Sequence, residues 1–451
     1  MITPEQATAD GPLMHQWATD LFPLCRSLTG AGVRQTLRYI QERLPTNNKM
    51  PGLTIHEVAS GTAAFDWTVP DEWTIRAAYI ENEKGQRILD FQDNNLHIMG
   101  YSEPIDQWMG REDLDKHLYS LPDQPNVIPY VTSYYTRRWG FCLRHDQRTA
   151  LPEGRYRVVV DSVLAPGHLT YGELILPGDT TEEVLFSTYI CHPSMANNEL
   201  SGPVVALALA RRLMEQPRRR LSYRFVFVPE TIGSIVYLSR HLARLKERVI
   251  AGFVLTCVGD KRCVSFMPSR LGTSLADRVA KHVLAHKAPN HYTYSFLQRG
   301  SDERQYCSPG VDLPVVSIMR SKYAEYPEYH TSADDLSFIT AEGLAGSLEL
   351  YLECLAILEA NLRHRVMVCC EPQLGKRGLY PTLSLKGSAT QVRDMMNLLA
   401  NADGTMDLIA QSEAAGVYAG RAIEIMRPLV EAGLVRAGDP PEPKAEPGAG
   451  P

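Results

Sequence analysis

Between Gly172 and about Met319 the chain alternates between two hydrophobic textures. Short, nearly unbroken apolar runs ("ELILPG", "EVLFSTYI", "SYRFVFV", "VIAGFVLTCV", "YSFLQ", "VVSIM") are separated by longer segments with apolar residues every three to four positions. The longer segments are "PVVALALARRLMEQ", "SIVYLSRHLARLK" and "SLADRVAKHVLAHK". A strand that is apolar on both faces has both faces covered. Such strands alternating with amphipathic helices predict an α/β fold with a doubly wound, mostly parallel sheet. A last long helix is expected from about Ala341 to Leu362.

The flanks have other patterns. Helical spacing in "LMHQWATDLFPLCRSL" and "VRQTLRYIQERL" fills the first 45 or so residues, and Leu44-Pro45 stops the second helix. From Leu53 to about Val160, runs such as "EWTIRAAYI", "NLHIMGY", "NVIPYVTSYY" and "YRVVVDSVL" are short, β-branched and aromatic, with turn residues between them. That is the texture of a β-sandwich or jelly roll, with Trp67, Trp73, Tyr134, Tyr135, Trp139 and Phe141 expected in its core. The segments "TQVRDMMNLLANAD", "TMDLIAQSE" and "GRAIEIMRPLVEAGLV" read as a winged helix. The domain plan is an α/β domain over 1–52 and 161–364, an inserted β-sandwich over 53–160 and a winged helix over 365–438. A Pro-rich, disordered tail is expected over 439–451.

Composition narrows the function. A chain of 451 residues, 44% hydrophobic and 22% charged, has room for two or three cores. Its net charge of −6 gives no general attraction to nucleic acid or anionic membrane. From Lys386 to Gly438 five basic residues stand against six acidic ones, so packing or homo-oligomerisation is expected of the winged helix rather than duplex binding. No apolar run approaches the ~18 residues of a membrane span. The N-terminal stretch lacks a basic start and apolar core, and a cytoplasmic location is expected. The nine cysteines, an odd number without paired spacing, then read as reduced thiols.

Ligands of such sheets bind beyond the carboxyl ends of the strands. There this chain places His192, Asn197, Asn198 and Glu199; then Glu230 and Thr231; then Ser301, Asp302 and Glu303; then His330, Asp334 and Asp335. Two imidazoles and several carboxylates on one rim suit a divalent transition metal such as zinc. Glu230, fixed by Pro229 at the end of a central strand, stands where a general base belongs. Asp334 is placed to fix the His330 ring from a second shell. Each has a plainer reading: a surface histidine, an acid favoured at a helix N-terminus, or a helix cap at Thr231.

Three stretches in order, "CHPSMANNELSG", "VPETIGS" and "EYHTSADD", resemble the zinc-dependent aminopeptidase and glutaminyl cyclase superfamily. More narrowly, the chain resembles bacterial aminopeptidase-like proteins with an inserted β domain and a C-terminal winged helix. The resemblance puts the first metal histidine at His192, the general base at Glu230, the last metal histidine at His330 and the closing aspartate at Asp334. Departures matter here. The bridging aspartate falls on Asn198, a second glutamate ligand on Thr231 and a further aspartate on Thr256. With that negative charge missing, two bridged dications would repel strongly. One zinc ion is expected, held by His192, His330 and Glu199, with Asp302 as the substitute carboxylate.

The function expected is a metal-dependent hydrolase, an aminopeptidase or amidase acting on a small peptide-like amide. Water is activated by zinc and deprotonated by Glu230. Asp302 and Glu303 would receive the substrate ammonium, and Tyr323, Tyr326 or Tyr329 would donate to the oxyanion. The alternatives are a single-zinc cyclotransferase and a non-catalytic ligand-binding or regulatory protein that uses the winged helix.

Overall fold

The computed structural model describes residues 4–45, 51–379 and 388–438. The described residues form two compact units, one from those within 4–277 and 290–349, the other from those within 278–289 and 350–438.

The larger unit is organised by one eight-stranded sheet. Its strands in chain order are β1 (Thr54–Ala59), β2 (His168–Leu176), β3 (Glu183–Tyr189), β4 (Ser222–Val228), β5 (Val249–Val254), β6 (Ser265–Met267), β7 (Tyr292–Thr293) and β8 (Val315–Met319). They lie side by side as β1-β2-β4-β3-β5-β8-β6-β7, and the central four, β4-β3-β5-β8, are parallel. Every residue of β3, β4 and β8 is buried, which is why these strands read as unbroken apolar runs. The order reverses between β3 and β4, and at such a crossover the connecting loops part and leave a crevice.

Four helices matter for the site: α1 (Pro4–Leu21), α2 (Ala31–Arg43), α3 (Ser201–Glu215) and α4 (Ile232–Arg248). The Ser-Gly step into α3 has a steric cause. A Cβ on Gly202 would lie 2.3 Å from both the Leu255 carbonyl oxygen and Thr188 Oγ1, so only glycine lets α3 start against the sheet.

The insertion differs from the expected sandwich. It is built on one four-stranded antiparallel sheet, Arg87–Asp90, Glu72–Asn82, Arg155–Ala165 and Ile105–Gly110 in spatial order, with two small two-stranded ribbons. Its boundaries also move. Thr54–Ala59 pairs with β2 in the large sheet, while Arg155–Ala165 crosses the insertion, so the added domain lies between β1 and β2 rather than over 53–160. The stretch "NVIPYVTSYY" is not a strand: Pro129 within it and Pro125 just before it each lack a ladder donor. Its backbone bonds to another loop instead: Tyr130 N–H donates to the His330 carbonyl at 2.8 Å, and Ser332 N–H to that of Ile128 at 2.8 Å.

Of the aromatics expected in this core, Trp73 and Phe141 are buried; Trp73 stacks on Tyr101 at 5.9 Å and its indole N–H donates to the Ser102 carbonyl. Tyr134 and Trp139 are partly buried against it. Trp67 and Tyr135 are not core residues: they are 40% and 57% exposed. The expected strand "YSFLQ" does not form: the strand here is Tyr292–Thr293, just before it, and Ser295 caps a 3₁₀ turn, Phe296–Gln298, by accepting the Leu297 N–H.

The smaller unit carries the winged helix. Helices Ser388–Ala400, Leu408–Ala415 and Ala419–Glu431 pack through Leu398, Leu408, Ile425 and Leu429. They sit with a three-stranded sheet in which Arg363–Val366 lies between Asp403–Asp407 and Val435–Gly438. Asp407 caps the second helix by accepting from Ala410 N–H at 3.0 Å. Among the described residues no helix is long and apolar enough to cross a membrane, and all nine cysteines are free thiols.

Candidate metal centre

After β3 the chain leaves the sheet through Ser194, held at φ +45°, and enters the buried turn Ala196–Leu200 before α3. His192 lies in this passage, 2% exposed. Its two ring edges meet different carboxylates. Nδ1 is 2.7 Å from Glu199 Oε2, and Nε2 is 3.7 Å from Glu230 Oε2. Glu199, expected as a ligand, meets the ring at Nδ1; an ionised carboxylate there can fix ring and tautomer and leave the Nε2 lone pair facing the pocket.

Donor atoms of Cys191, His192 and Glu199 also gather within 4.8 Å of one another. That cluster lies on the Nδ1 edge, which Glu199 occupies. The Cys191 sulfur already accepts the Glu230 N–H at 3.2 Å, and burial pushes its thiol well above the usual range. The Nε2 edge is the better cation position.

His330 arrives from the opposite side of the crevice with φ +56°. Its ring stacks on Tyr329 at 3.9 Å, and its centroid is 5.4 Å from that of His192. Tyr130, from the insertion, stands edge-on to both imidazoles at 5.2 Å. The sequence brings the two histidines to one rim, and the structure joins them.

Glu230 is held by backbone strain. Thr231, with φ +63° and ψ −78°, makes a γ-turn of the rare positive-φ kind, closed by Ile232 N–H to the Glu230 carbonyl at 2.8 Å. Strain of this sort costs roughly 1–3 kcal/mol and persists only where its surroundings enforce it. They do so here. Asp302 Oδ1 accepts from Thr231 N–H at 2.8 Å and Ser234 Oγ at 2.9 Å, and Arg304 donates to the Thr231 hydroxyl at 2.5 Å. The Thr231 side chain thus makes no capping bond to the helix it precedes, and the Glu230 side chain stays 21% exposed.

The other expected residues divide by their bonds. Asp334 does not hold the His330 ring; it accepts from the backbone N–H of Asn197 (2.6 Å) and Asn198 (2.9 Å) and from the Tyr326 hydroxyl (3.1 Å), fixing the turn behind His192. Asn198 accepts from the Tyr189 hydroxyl at 3.0 Å, and that hydroxyl lies 2.5 Å from Thr256 Oγ1. A neutral network thus fills the positions where the resembled superfamily has carboxylates. Glu303 Oε1 accepts from Gly300 N–H, Ser301 N–H and the Tyr323 hydroxyl, so Tyr323 and Tyr326 are both engaged. Tyr329 is the candidate oxyanion donor left.

The charge balance is unusual. Burial holds His192 and His330 down at about 3, so both imidazoles are neutral, as metal ligands must be. Burial also pushes Glu199 up to about 8 and Asp302 up to about 6, and it raises Glu230 well above the usual carboxylate range, with the charge of Asp302 adding to the effect. Glu199 Oε1, Asp302 Oδ2 and Glu303 Oε2 are buried with no hydrogen-bond partner. Crowded carboxylates with spare oxygens beside two neutral imidazoles are the donor set for a divalent cation, and the residues fit one.

Arg26 gave no sign in the sequence, where it falls within the helically spaced stretch "LMHQWATDLFPLCRSL". It is 1% exposed, donates from Nε to the His192 carbonyl at 2.9 Å, and lies 3.8 Å from Glu199 Oε1. Arg26→Met is expected to lower stability by about 3 kcal/mol, because a buried pair broken from one side leaves its partner uncompensated. An unshifted urea midpoint would show that the guanidinium bears no such load. Tyr130 was also missed; the signal was the pair of prolines that argue against a strand.

Comparison with known proteins agrees with this architecture. A family model described as a domain of unknown function, DUF4910, matches residues 15–361, and a winged helix-turn-helix model matches 363–437. A Clostridium acetobutylicum protein named "Putative polysaccharide biosynthesis protein with aminopeptidase-like domain" is 44% identical over 377 residues, 83% of this chain and 85% of its own. A crystal structure of a "putative peptidase" from Clostridium acetobutylicum superposes with TM-score 0.90 at 40% identity, covering 96% of this chain and 98% of the other. BSAP, a zinc aminopeptidase from Bacillus subtilis, shares the fold at TM-score 0.54 and 14% identity, over 79% of this chain and 95% of the other. The chain belongs to the DUF4910 family, an aminopeptidase-like α/β fold that here carries a C-terminal winged helix.

Proposed function

We propose that this protein is a zinc-dependent amide hydrolase with one cation held by His192 Nε2 and His330. One observation carries the reading: His192 Nε2 lies 3.7 Å from Glu230, and the His330 ring is 5.4 Å away in the same buried crevice. When bound, the cation supplies Lewis-acid polarisation of the amide carbonyl and makes water more acidic. Glu199 holds the His192 ring. Glu230 takes the proton of the attacking water and returns it to the departing amine, a task suited to a carboxylate whose proton affinity burial has raised. The free oxygens of Asp302 and Glu303 receive a substrate ammonium, and Tyr329 donates to the oxyanion.

The neutral Tyr189–Asn198–Thr256 network supports one cation rather than two, since a second would have no anionic ligands there. The name of the Clostridium relative supports an amide borne on a saccharide. The test is direct. Protein purified with zinc is given N-acylated amino sugars and short peptides, and amine release is followed by mass spectrometry. Turnover of neither class would remove the hydrolase reading.

For the winged helix we infer a packing role. The N-terminus of the third helix, the end that would read a groove, is covered: Ala419 N–H donates to His282 Nε2 at 2.9 Å, and Tyr418 stacks on the His282 ring at 5.5 Å.

A further inference from the structure

Three aromatic side chains of the insertion stand in water: Phe65 (59% exposed), Trp67 (40%) and Tyr135 (57%). Burying each ring would contribute about 1.5–3 kcal/mol, so their exposure does not serve the fold. The hairpin that presents two of them is also strained. Ala63 pairs with Thr68 and Ala64 with Trp67, leaving Phe65-Asp66 as a two-residue turn with Phe65 at φ +54°. A positive φ at the first turn position is a glycine's place, and a bulky residue there is an outlier. Trp67 and Tyr135 meet edge-on at 6.2 Å, and the Tyr135 hydroxyl donates to the Thr68 carbonyl at 3.2 Å, so the rings are held in place before any ligand arrives.

A short run of residues links the patch to the candidate centre. Tyr135 follows Tyr134, whose hydroxyl is 3.1 Å from that of Tyr130, and Tyr130 faces both imidazoles. Fully extended backbone from Tyr130 to Tyr135 spans at most about 18 Å, the reach of a short oligosaccharide. The hairpin also packs on α4, which begins two residues after Glu230.

We propose that Phe65, Trp67 and Tyr135 form a platform that binds the saccharide part of the substrate; this rests on the reading of the centre as a hydrolase of sugar-borne amides. A pyranose ring offers one face of C–H groups to an aromatic face, and its rim hydroxyls need acceptors such as the exposed Asp66 carboxylate between the two hairpin rings. Of the two arginines that follow Tyr135 in the chain, Arg137 lies 3.4 Å from Glu103 and 3.7 Å from Asp71, and Arg138 donates back to Ser133 Oγ and the Thr132 carbonyl, so both are engaged and a neutral ligand suits the patch better than an anion. Three half-exposed rings offer roughly 300 Å², well below the ~800 Å² per partner of a stable dimer.

The test uses the full chain as Glu230→Gln, so that nothing is turned over, titrated with tri-N-acetylchitotriose, cellotriose and trialanine while tryptophan emission is followed. A saturable change with tri-N-acetylchitotriose and none with trialanine is expected. Trp67→Ala and Tyr135→Ala should each weaken binding at least about tenfold, in line with the loss of one aromatic contact. Phe65→Gly should weaken it too while the thermal midpoint holds or rises, because the strain goes with the ring. Binding of trialanine instead, saccharide binding indifferent to all three substitutions, or a fall in the Phe65→Gly midpoint would overturn the platform. So would self-association abolished by Trp67→Ala. Zinc content and amide turnover of the Glu230 parent are read separately: their absence alongside saccharide binding removes the hydrolase and spares the platform, and the reverse removes the platform alone.

Discussion

His192→Ala and His330→Ala should each empty the purified protein of zinc, from about one equivalent to near none. The expectation follows from how few strong donors face the crevice. His192 offers only Nε2, because Glu199 holds Nδ1 at 2.7 Å, and His330 is the other neutral imidazole within 5.4 Å, ring to ring. The remaining donors are carboxylates that burial keeps reluctant to ionise until a cation arrives. Losing either ring therefore removes about half of the neutral donor set. Glu199→Gln tells the two roles of that residue apart. If it orients the ring, affinity falls about 10- to 100-fold and zinc is still measurable at saturation. A loss as complete as in the histidine variants would make Glu199 a ligand after all. Unchanged metal content in both alanine variants would end the metal reading.

Glu230→Gln should keep its zinc and lose amide turnover by about 10²- to 10⁴-fold. Glutamine preserves size and the strained turn at Thr231, so the backbone that presents the side chain is undisturbed. What is lost is the ability to take a proton 3.7 Å from the metal-facing nitrogen of His192. Metal analysis and a single-turnover assay on the same preparation separate the effects. A fully active variant would assign the proton transfer elsewhere, and one that lost zinc as well would move Glu230 among the ligands.

Much of the architecture was legible because the physics is local. Unbroken apolar runs gave the covered parallel strands, and polar residues at their ends gave His192, Glu230 and His330. The exceptions were set by contacts across the fold. That Glu199 meets His192 at Nδ1 could not be read in advance, since sequence does not say which ring edge faces outward. Asp334 was placed on the wrong partner because the N–H groups of Asn197 and Asn198 lie far from it in sequence and next to it in space. Arg26 gave no signal, for a buried guanidinium is defined only by what surrounds it. The sandwich reading failed where Pro125 and Pro129 break the ladder. Trp67 and Tyr135 were misplaced because an aromatic in a short strand carries no mark of which face it takes.

The segment around Tyr130 has one more consequence. The peptide that carries His330 is stitched to the insertion by Tyr130 N–H, by the Ser332–Ile128 bond and by a bridge from Pro129 to Thr331. With His330 holding the cation as proposed, capture of the ion and docking of the insertion would be thermodynamically linked: the free energy of binding would also stabilise the attachment of a domain that supplies no ligand. On that reading, excising or exchanging the inserted module would also disturb the peptide that carries His330.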